Sequence, residues 1–317
     1  RLGRGIEASF HEAGHILGAS VIRIAVRQEG KERIIIYTGD LGRTGKPILR
    51  DPETFDRADY LLVESTYGER EHQTTEDIRQ QLAEAVDRTW RAGGNIVVPS
   101  FSIGRSQEVL YYMNQLLLED RIPHLMTFLD SPMAVRATRV FEKYSDLYDA
   151  EMVQLVLRNE SPFSFKGLKL VESPRESKAI NHIKGTVMII AGSGMCMGGR
   201  IKHHLVNNIT RPESTILFVG YQAQGTLGRK ILDGEPEVRI LGQMFPVKAA
   251  VAKVHGFSSH ADRREIFQWL QHLKNTPRKV FLIHGEKESL DGFKAYLSER
   301  TGWDVFVPEY LDEAVLK

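Results

Sequence analysis

The sequence has very little cysteine, and this limits the chemistry open to it. Of 317 residues only Cys196 is a cysteine, which excludes an internal disulfide framework and a cysteine-rich zinc site. Any bound metal must therefore be held by His, Asp or Glu. A single cysteine also fits a reducing compartment, so we expect a cytoplasmic protein.

Long apolar runs and an excess of one charge are absent as well. No stretch reaches the roughly 18 apolar residues of a membrane span, and no signal-peptide pattern opens the chain, so we expect no membrane partner. The 42 basic residues nearly balance the 41 acidic ones. A polyanion would therefore have to bind in a local basic cleft rather than to a globally basic surface.

Length and composition predict two domains, because 317 residues with 42% hydrophobic content can bury one large core or two moderate ones. The chain begins with Arg1 rather than Met, and its opening residues resemble the middle of a domain already entering an apolar strand. We therefore expect an N-terminal segment to be missing.

Strand patterns alternate with helical patterns in the first half of the chain, which predicts an α/β fold with a largely parallel sheet. The apolar repeat over 74–92 predicts a helix that ends at Gly93 and Gly94. A mainly helical stretch, 132–185, is followed by two buried-strand patterns that we expect to join the same sheet. The other predicted strands are 34–40, 60–66, 95–100, 125–130, 186–192, 215–220, 247–254, 279–283 and 304–308, and the other helices are 104–118, 261–273 and a segment ending near 300.

Three polar residues occur where an apolar run meets a glycine turn: His15, Asp40 and His284. Strand ends are common places for sites, since a rigid sheet positions side chains that still reach open space. Two imidazoles and one carboxylate suit Zn²⁺ or Mn²⁺, and the carboxylate can bridge two ions. Each residue alone could equally be a cap or a hydrogen-bonded core residue, and the pattern does not show that the three meet.

A series of motifs in fixed order resembles the β-CASP nucleases of the metallo-β-lactamase superfamily, over essentially the whole chain. The motifs are HEAGHILGA (11–19), YTGDLG (37–42), ESTYG (64–68), PSFSIGRSQE (99–108), DSPMA (130–134), AGSGM (191–195), GGRIKHH (198–204), FVGYQAQGTLGR (218–229), FSSHAD (257–262) and LIHGE (282–286). The resemblance implies a partial αββα sandwich, lacking its N-terminal part, with an inserted α/β β-CASP domain whose sheet is mainly parallel. We place the sandwich at 1–69 and 226–317 and the inserted domain at 70–225.

The resemblance also implies roles for five residues. His15 would be a metal ligand, Asp40 a catalytic carboxylate that bridges two zinc ions, and His284 a zinc ligand of the kind that marks the RNA-cleaving branch. Glu64 and His260 would be catalytic, Glu64 by orienting a ligand or water and His260 by donating to the scissile phosphate. The alternatives are a strand-end ion pair for Glu64 and a helix N-cap neighbour for His260.

Single-stranded RNA is therefore the expected substrate, and its phosphates need binding groups. The turn formed by Gly192, Ser193 and Gly194 follows a predicted strand and precedes a predicted helix, so its backbone N–H groups could hold phosphate. Tight packing is the alternative reason for such glycines. Further candidates in motif positions are Ser102, Arg105, Arg200 and Arg229, although arginines more often face solvent. Phe101 or Tyr221 could stack on a base or simply pack.

One expected motif is missing. No His-x-His-x-Asp-His sequence occurs in the chain, although the family normally carries it upstream of His15, where it completes a site for two zinc ions. We expect this chain alone to hold one ion, through Asp40, His15 and His284, or none, and to be weakly active or inactive.

Three functions compete at this point. The first is a zinc-dependent ribonuclease, an endonuclease with or without 5′-to-3′ exonuclease activity. The second is a non-catalytic RNA-binding or scaffold homologue. A hydrolase of small esters or lactams is disfavoured, because such enzymes lack the long insertion implied between Glu64 and His260. The oligomeric state is open, with a homodimer as one option.

Overall fold

A computed structural model describes residues 3–72 and 78–316. Contacts between Cα atoms divide the chain into two compact units, unit 1 (Arg1–Gln73 with Ser259–Lys317) and unit 2 (Thr74–Ser258). The strands are β1 (Ile6–Glu12), β2 (Ser20–Gln28), β3 (Lys31–Tyr37), β4 (Tyr60–Glu64), β5 (Ile96–Pro99), β6 (Met126–Leu129), β7 (Leu168–Leu170), β8 (Val187–Ala191), β9 (Thr215–Phe218), β10 (Glu237–Ile240), β11 (Gln243–Pro246), β12 (Ala250–Lys253), β13 (Lys279–Ile283) and β14 (Val305–Phe306).

The helices connect these strands, and several begin with local signals visible in the sequence. They are α1 (Ile78–Ala92), α2 (Arg105–Leu118), α3 (Pro132–Lys143), α4 (Ala150–Leu157), α5 (Pro174–Ile180), α6 (Ile201–Asn208), α7 (Leu227–Leu232), α8 (Arg263–Leu270) and α9 (Lys287–Thr301), with a 3₁₀ turn at Ser145–Leu147. Asp262 caps α8 and forms a reciprocal capping box with Glu265, so the helix start is satisfied by side chains on both sides. The start of the helix predicted over 74–92, residues 74–77, lies outside the described residues. Among the described helices none is long and apolar enough to cross a bilayer.

Unit 1 is built on one six-stranded sheet with the order β1-β2-β3-β4-β13-β14. The β1-β2-β3 part is antiparallel, whereas β3, β4 and β13 run parallel, with Ile35 opposite Tyr60 and Ile283 opposite Glu64. Helices α8 and α9 bury their apolar stripes on this sheet, in a core that includes Leu61 and Phe293. Since β1 runs in the same direction as β3, the carboxyl ends of β1, β3, β4 and β13 lie at one edge of the sheet.

Unit 2 contains a wholly parallel six-stranded sheet with the order β12-β9-β5-β8-β6-β7. Its central strands β5, β8 and β9 are buried along their whole length. They read as continuous apolar runs, as expected of parallel strands covered on both faces. The sheet confirms the prediction of a largely parallel α/β arrangement, and the strands on either side of the helical stretch 132–185 do share one sheet.

The boundary of unit 2 differs from the sequence expectation, which ended the inserted domain at 225. The compact unit extends to Ser258, because β12 pairs in parallel with β9 and the β10-β11 hairpin contributes Val238 and Ile240 to the same core. The hydrophobic pattern of residues 247–254 predicts a strand but not which sheet the strand joins, so the sequence could not reveal this pairing. In unit 1 the described residues hold a single sheet, with α8 and α9 packed against it.

Substituting a large buried side chain of β9 tests the core of unit 2. Phe218 is fully buried in that core, so we expect Phe218→Ala to lower the free energy of unfolding of unit 2 by about 3–5 kcal/mol, through lost burial and a residual cavity. Urea denaturation followed by far-UV circular dichroism measures the loss. Met133→Ala on the exposed face of α3 is the control, and its effect should stay within about 0.5 kcal/mol. Equal losses in the two variants would contradict the assignment of the core.

Candidate metal centre

The carboxyl edge of the unit 1 sheet gathers the polar residues that the sequence singled out there. Asp40 lies in the loop after β3, Glu64 is the last residue of β4, and His284 directly follows β13. His15 lies in the turn after β1, which runs in the same direction. Parallel neighbouring strands place their carboxyl ends side by side, and this explains why residues far apart in the chain meet here.

Two loops cross closely at this edge. Gly42 donates its N–H to the carbonyl of Ala13 at 2.7 Å, and a Cβ atom at position 42 would lie 2.0 Å from the backbone of Gly14. Only glycine can occupy position 42 at this separation. The crossing holds the turn that carries His15 against the loop that carries Asp40.

The carboxylate of Asp40 lies between two histidines. Its Oδ1 is 3.0 Å from Nδ1 of His284, and its Oδ2 is 3.9 Å from Nε2 of His15. The ring of His260 lies 4.4 Å from that of His15, measured between centroids. Potential ligand atoms fall into two sets, each within 4.8 Å: His15, Asp40 and His260, and Asp40, Glu64 and His284. Asp40 is common to both sets.

Glu64 is fully buried and takes hydrogen bonds from several directions. One oxygen accepts from the backbone N–H of Leu41 at 2.5 Å, and the other accepts from the hydroxyl of Thr66 at 2.6 Å. Nδ1 of His260 lies 3.1 Å from the same carboxylate. Glu64 therefore joins the loop after Asp40 to the ring of His260.

The donors present fit a divalent metal of the zinc class. Imidazole nitrogens and carboxylate oxygens are its ordinary ligands in a site without cysteine. Burial lowers the pKa of His15, and the neighbouring His260 lowers it further, although Asp40 and Glu64 oppose this. The imidazole of His15 is thus kept neutral, which is the form that binds metal. The two oxygens of Asp40 face different histidines, an arrangement suited to a carboxylate shared between two ions.

A third group of potential ligands, His72, Asp262 and Glu265, was missed by the sequence interpretation. Its oxygens already have protein donors. Asp262 accepts from the backbone N–H groups of His72, Arg264 and Glu265, and Glu265 pairs with Arg43 at 2.9 Å. This group therefore braces the start of α8 rather than offering open ligand atoms. His72 was identifiable only as a histidine shortly after ESTYG.

His72 contributes to the support of His260. Its Nε2 lies 2.9 Å from the carbonyl oxygen of His260, which can only accept, so the ring nitrogen donates. Tyr67 packs edge-on against the His72 ring, with 4.7 Å between the ring centroids. Burial lowers the pKa of His72. The loop that carries His260 is thus held by a neutral imidazole from the segment after β4.

The phosphate-binding candidates lie in unit 2, at the carboxyl edge of its sheet. Gly192, Ser193 and Gly194 follow β8 and precede α6, as expected. The hydroxyl of Ser193 hydrogen-bonds the N–H of Gly198 at 3.1 Å, which closes the turn. Ser102, after β5, hydrogen-bonds Ser131, after β6, at 3.3 Å between the hydroxyl oxygens. These residues line one edge, whereas the arginines are placed differently.

The arginine candidates have internal partners. Arg105 pairs with Glu108 at 2.8 Å, both side chains being largely buried. Arg229 pairs with Asp233 at 2.8 Å in an exposed position. Arg200 donates to Asp130 at 2.6 Å and to the carbonyl oxygens of residues 171 and 172. Carboxylates engage the guanidinium groups of Arg105 and Arg200, and phosphate contacts by these two residues stay a prediction from the sequence. Arg229 stays accessible.

Asp130 is the centre of a buried polar network. It is fully buried and accepts from Arg200, from Nε2 of His204 at 2.6 Å and from the hydroxyl of Ser177 at 2.5 Å. Burial raises its pKa, but the hydrogen bonds from His204, Ser177 and Arg200 outweigh burial and leave the pKa below its usual value. His203 and His204 point in different directions, as expected of adjacent helical residues, and only His204 joins this network.

Comparison with known proteins agrees with the fold. The model of the Beta-Casp domain matches residues 106–231, and the model described as "Zn-dependent metallo-hydrolase RNA specificity domain" matches residues 244–308. The first match lies wholly within unit 2, and the second runs from β11 in unit 2 to the end of β14 in unit 1.

Curated relatives resemble the chain over nearly all of its length. Ribonuclease TTHA0252 of Thermus thermophilus is 39% identical over 290 residues, which are 92% of this chain and 65% of that protein. Transcription termination factor FttA of Methanocaldococcus jannaschii is 30% identical over 98% of this chain and 50% of its own length. An RNase J-like protein of the same archaeon is 29% identical over 96% of this chain and 69% of its own length. The chain thus spans about half to two thirds of the relatives it matches.

A parallel α/β unit, a second sheet with histidines and carboxylates at one edge, and these matches define the mixed α/β fold class of the metallo-β-lactamase type. Within that class the chain belongs to the β-CASP family of the metallo-β-lactamase superfamily.

Removing the charge of Asp130 tests the buried network. We expect Asp130→Asn to lower the free energy of unfolding by about 3–5 kcal/mol, because Arg200 would lose its partner in a largely buried position. Asp233→Asn, in the exposed pair with Arg229, should cost no more than about 1 kcal/mol. Urea denaturation at a series of pH values measures both losses.

The pH dependence of the Asp130 loss has a definite sign. A carboxylate whose pKa is depressed by folding contributes stability above its unfolded pKa, and that contribution is lost as the pH falls through the folded value. The difference in free energy of unfolding between wild type and Asp130→Asn should therefore narrow only when the pH falls below about 4. If this difference in free energy of unfolding narrows already near pH 6, Asp130 does not keep its charge in the folded protein down to about pH 4.

Proposed function

We propose that this chain is the metal-binding and RNA-binding part of a zinc-dependent ribonuclease that hydrolyses phosphodiesters of single-stranded RNA. The observation that carries the proposal is the position of Asp40, whose two carboxylate oxygens face His15 and His284 at the carboxyl edge of the unit 1 sheet. The family description that names RNA specificity and the ribonuclease among the relatives support RNA as the substrate.

His15, Asp40 and His284 are the proposed ligands of this chain, with Asp40 shared when a second ion is present. His260 belongs to the same cluster and lies close enough to His15 to act either as a further ligand or as a donor. Bound zinc would supply positive charge to polarise the scissile phosphate and to activate the attacking water. The sheet edge sets the geometry of the cluster, because it positions the loops that carry these side chains.

Glu64 is proposed as the residue that orients the cluster. Its carboxylate fixes the N–H of Leu41, next to Asp40, and faces Nδ1 of His260. A ring held in this way can present its other nitrogen, Nε2, to a phosphate or leaving oxygen and donate a proton there. Glu64 itself is too completely satisfied by protein donors to serve as a base that takes a proton from water.

Phosphate contacts are proposed for the unit 2 edge, through the backbone of Gly192, Ser193 and Gly194, the hydroxyl of Ser102 and the accessible guanidinium of Arg229. We further propose that unit 2 corresponds to the inserted β-CASP domain and unit 1 to the metallo-β-lactamase part. A cytoplasmic location and a homodimer stay predictions from the sequence.

A second function, left open by the sequence, is that of a non-catalytic RNA-binding homologue of the same family. A site built from His15, Asp40 and His284 alone has three ligands of the chain, enough for one ion but not for a complete pair. A non-catalytic RNA-binding homologue would keep the fold and RNA affinity and lose cleavage. Metal stoichiometry and cleavage, measured together, separate the two functions.

The metal site is tested by equilibrium dialysis of the full chain against Zn²⁺ and by cleavage of an end-labelled single-stranded RNA. We expect close to one zinc per chain, and slow cleavage that a strong chelator abolishes. Asp40→Ala and His284→Ala should each lower zinc affinity by at least tenfold and remove cleavage, because both withdraw a ligand. His272→Ala, an exposed histidine at the end of α8 outside the cluster, is the control and should bind zinc normally.

The outcomes of this experiment distinguish the alternatives. Cleavage that survives both chelation and Asp40→Ala would contradict a metal-dependent reaction at this cluster. Zinc binding and RNA binding without cleavage would favour the non-catalytic homologue. Two zinc ions per chain would mean that further ligands complete the site.

The orienting role of Glu64 predicts a separate result. In Glu64→Gln one oxygen becomes an NH₂ group, which cannot accept from both Leu41 and Thr66 while facing His260. We expect zinc affinity to fall by about 10- to 100-fold, the usual effect of losing a residue that orients metal ligands, with the unfolding midpoint in urea changing less. The matched control is Glu69→Gln, whose side chain hydrogen-bonds Ser289 rather than the cluster. Unchanged zinc affinity in Glu64→Gln would contradict the proposal that Glu64 orients the metal ligands.

A further inference from the structure

The strand order of unit 2 implies a crevice at the carboxyl edge of its sheet, between β5 and β9. From β5 the chain passes to β6 on one side of the sheet, whereas from β9 it passes to β12 on the other side. Right-handed crossovers therefore send α2 and α7 to opposite faces. The loops after two neighbouring strands diverge, and such a switch point is where open α/β sheets bind ligands.

Two aromatic residues occupy this crevice. Phe101 lies two residues after β5 and Tyr221 three residues after β9, and 43% and 53% of their surfaces are exposed. Exposed apolar side chains that share one edge of a sheet are common at binding sites. The exposed Ile103 and Met197 belong to the same set of loops.

The backbone of Gly194 and that of Gly220 lie against the ring of Phe101. A Cβ atom at Gly194 would lie 2.7 Å from Cδ2 of the ring, and one at Gly220 would lie 3.8 Å from Cε2. Glycine at these positions lets the loops after β8 and β9 contact the ring directly. The ring is thus held in place at one side while much of its surface stays open, as a stacking platform requires.

Charge at the crevice favours a nucleic acid over an apolar protein segment. Arg229, on the helix that follows the Tyr221 loop, is exposed and shares an ion pair with Asp233. Tyr221 lies within electrostatic range of that guanidinium. Aromatic rings next to an accessible guanidinium are the chemistry by which proteins hold single strands, with the ring stacking on a base and the arginine meeting a phosphate.

We propose that Phe101, flanked by Tyr221, stacks on a base of single-stranded RNA and that Arg229 contacts an adjacent phosphate. The inference deepens the proposed function, since it rests on RNA being the ligand of this chain. It assigns a base-binding role to residues outside the metal cluster, and it predicts binding without strong sequence preference, because every base offers a π face.

The test measures the affinity of the full chain for two fluorescein-labelled oligoribonucleotides by fluorescence anisotropy, with a chelator present to prevent cleavage. One oligomer carries uracil at every position, and the other has the same ribose-phosphate backbone with abasic sites. Phe101→Leu should bind the uracil oligomer between about 5- and 150-fold more weakly than wild type. Both proteins should bind the abasic oligomer equally.

Matched variants separate stacking from folding. Phe101→Trp keeps a ring and should retain the wild-type affinity. Trp90→Leu removes an aromatic residue that is also 43% exposed but lies on α1, near the opposite end of β5, and should bind as wild type does. Tyr221→Ser should weaken binding of the uracil oligomer alone.

Each outcome decides the question. Loss confined to the uracil oligomer supports stacking on Phe101. Wild-type affinity in Phe101→Leu overturns the stacking inference while leaving RNA binding intact, as would equal losses on the two oligomers, which would point to a damaged fold. If wild type binds neither oligomer, the proposed function fails together with the inference.

Discussion

The buried carboxylate of Glu64 is the interaction on which the candidate metal centre depends. It is enclosed at the end of β4 and satisfied by a backbone N–H, a hydroxyl and an imidazole, each from a different segment of unit 1. Burying a charge costs free energy unless the charge is fully hydrogen-bonded. Moving any of these three segments away from Glu64 would therefore destabilise the fold. The hydrogen bonds to Glu64 therefore fix the positions of the loops that carry Asp40 and His260.

Unit 2 also has a buried carboxylate that accepts hydrogen bonds from several segments, at Asp130. There a buried carboxylate at the end of β6 gathers Arg200, His204 and Ser177. The two units thus share a construction in which a strand-end carboxylate organises the loops at a sheet edge. The two sheet edges differ in which groups remain accessible: imidazoles and carboxylates in unit 1, and aromatic rings with a glycine turn in unit 2.

Much of this arrangement could be predicted from the sequence. The strand ends at His15, Asp40 and His284 were recognisable from apolar runs that stop at glycine, and the alternation of strands and helices indicated a parallel sheet. The remaining features depend on long-range pairing. Arg200 donates to Asp130, which is 70 residues away, and the compact unit continues past the expected boundary at 225 because the 247–254 strand pairs with β9. His72 carried no spacing signal at all.

The close crossing of Gly42 and Gly14 has a consequence for the evolution of this site. Neither residue has a side chain to bind a metal or RNA, yet the separation of the two ligand-bearing loops is set by the absence of a Cβ atom at position 42. The separation of the two loops therefore limits which ligand side chains can meet at this edge. Replacing one histidine of the cluster by a carboxylate would still leave groups that can bind a cation. A residue larger than glycine at position 42 would push the two loops apart and so move all of the candidate ligands.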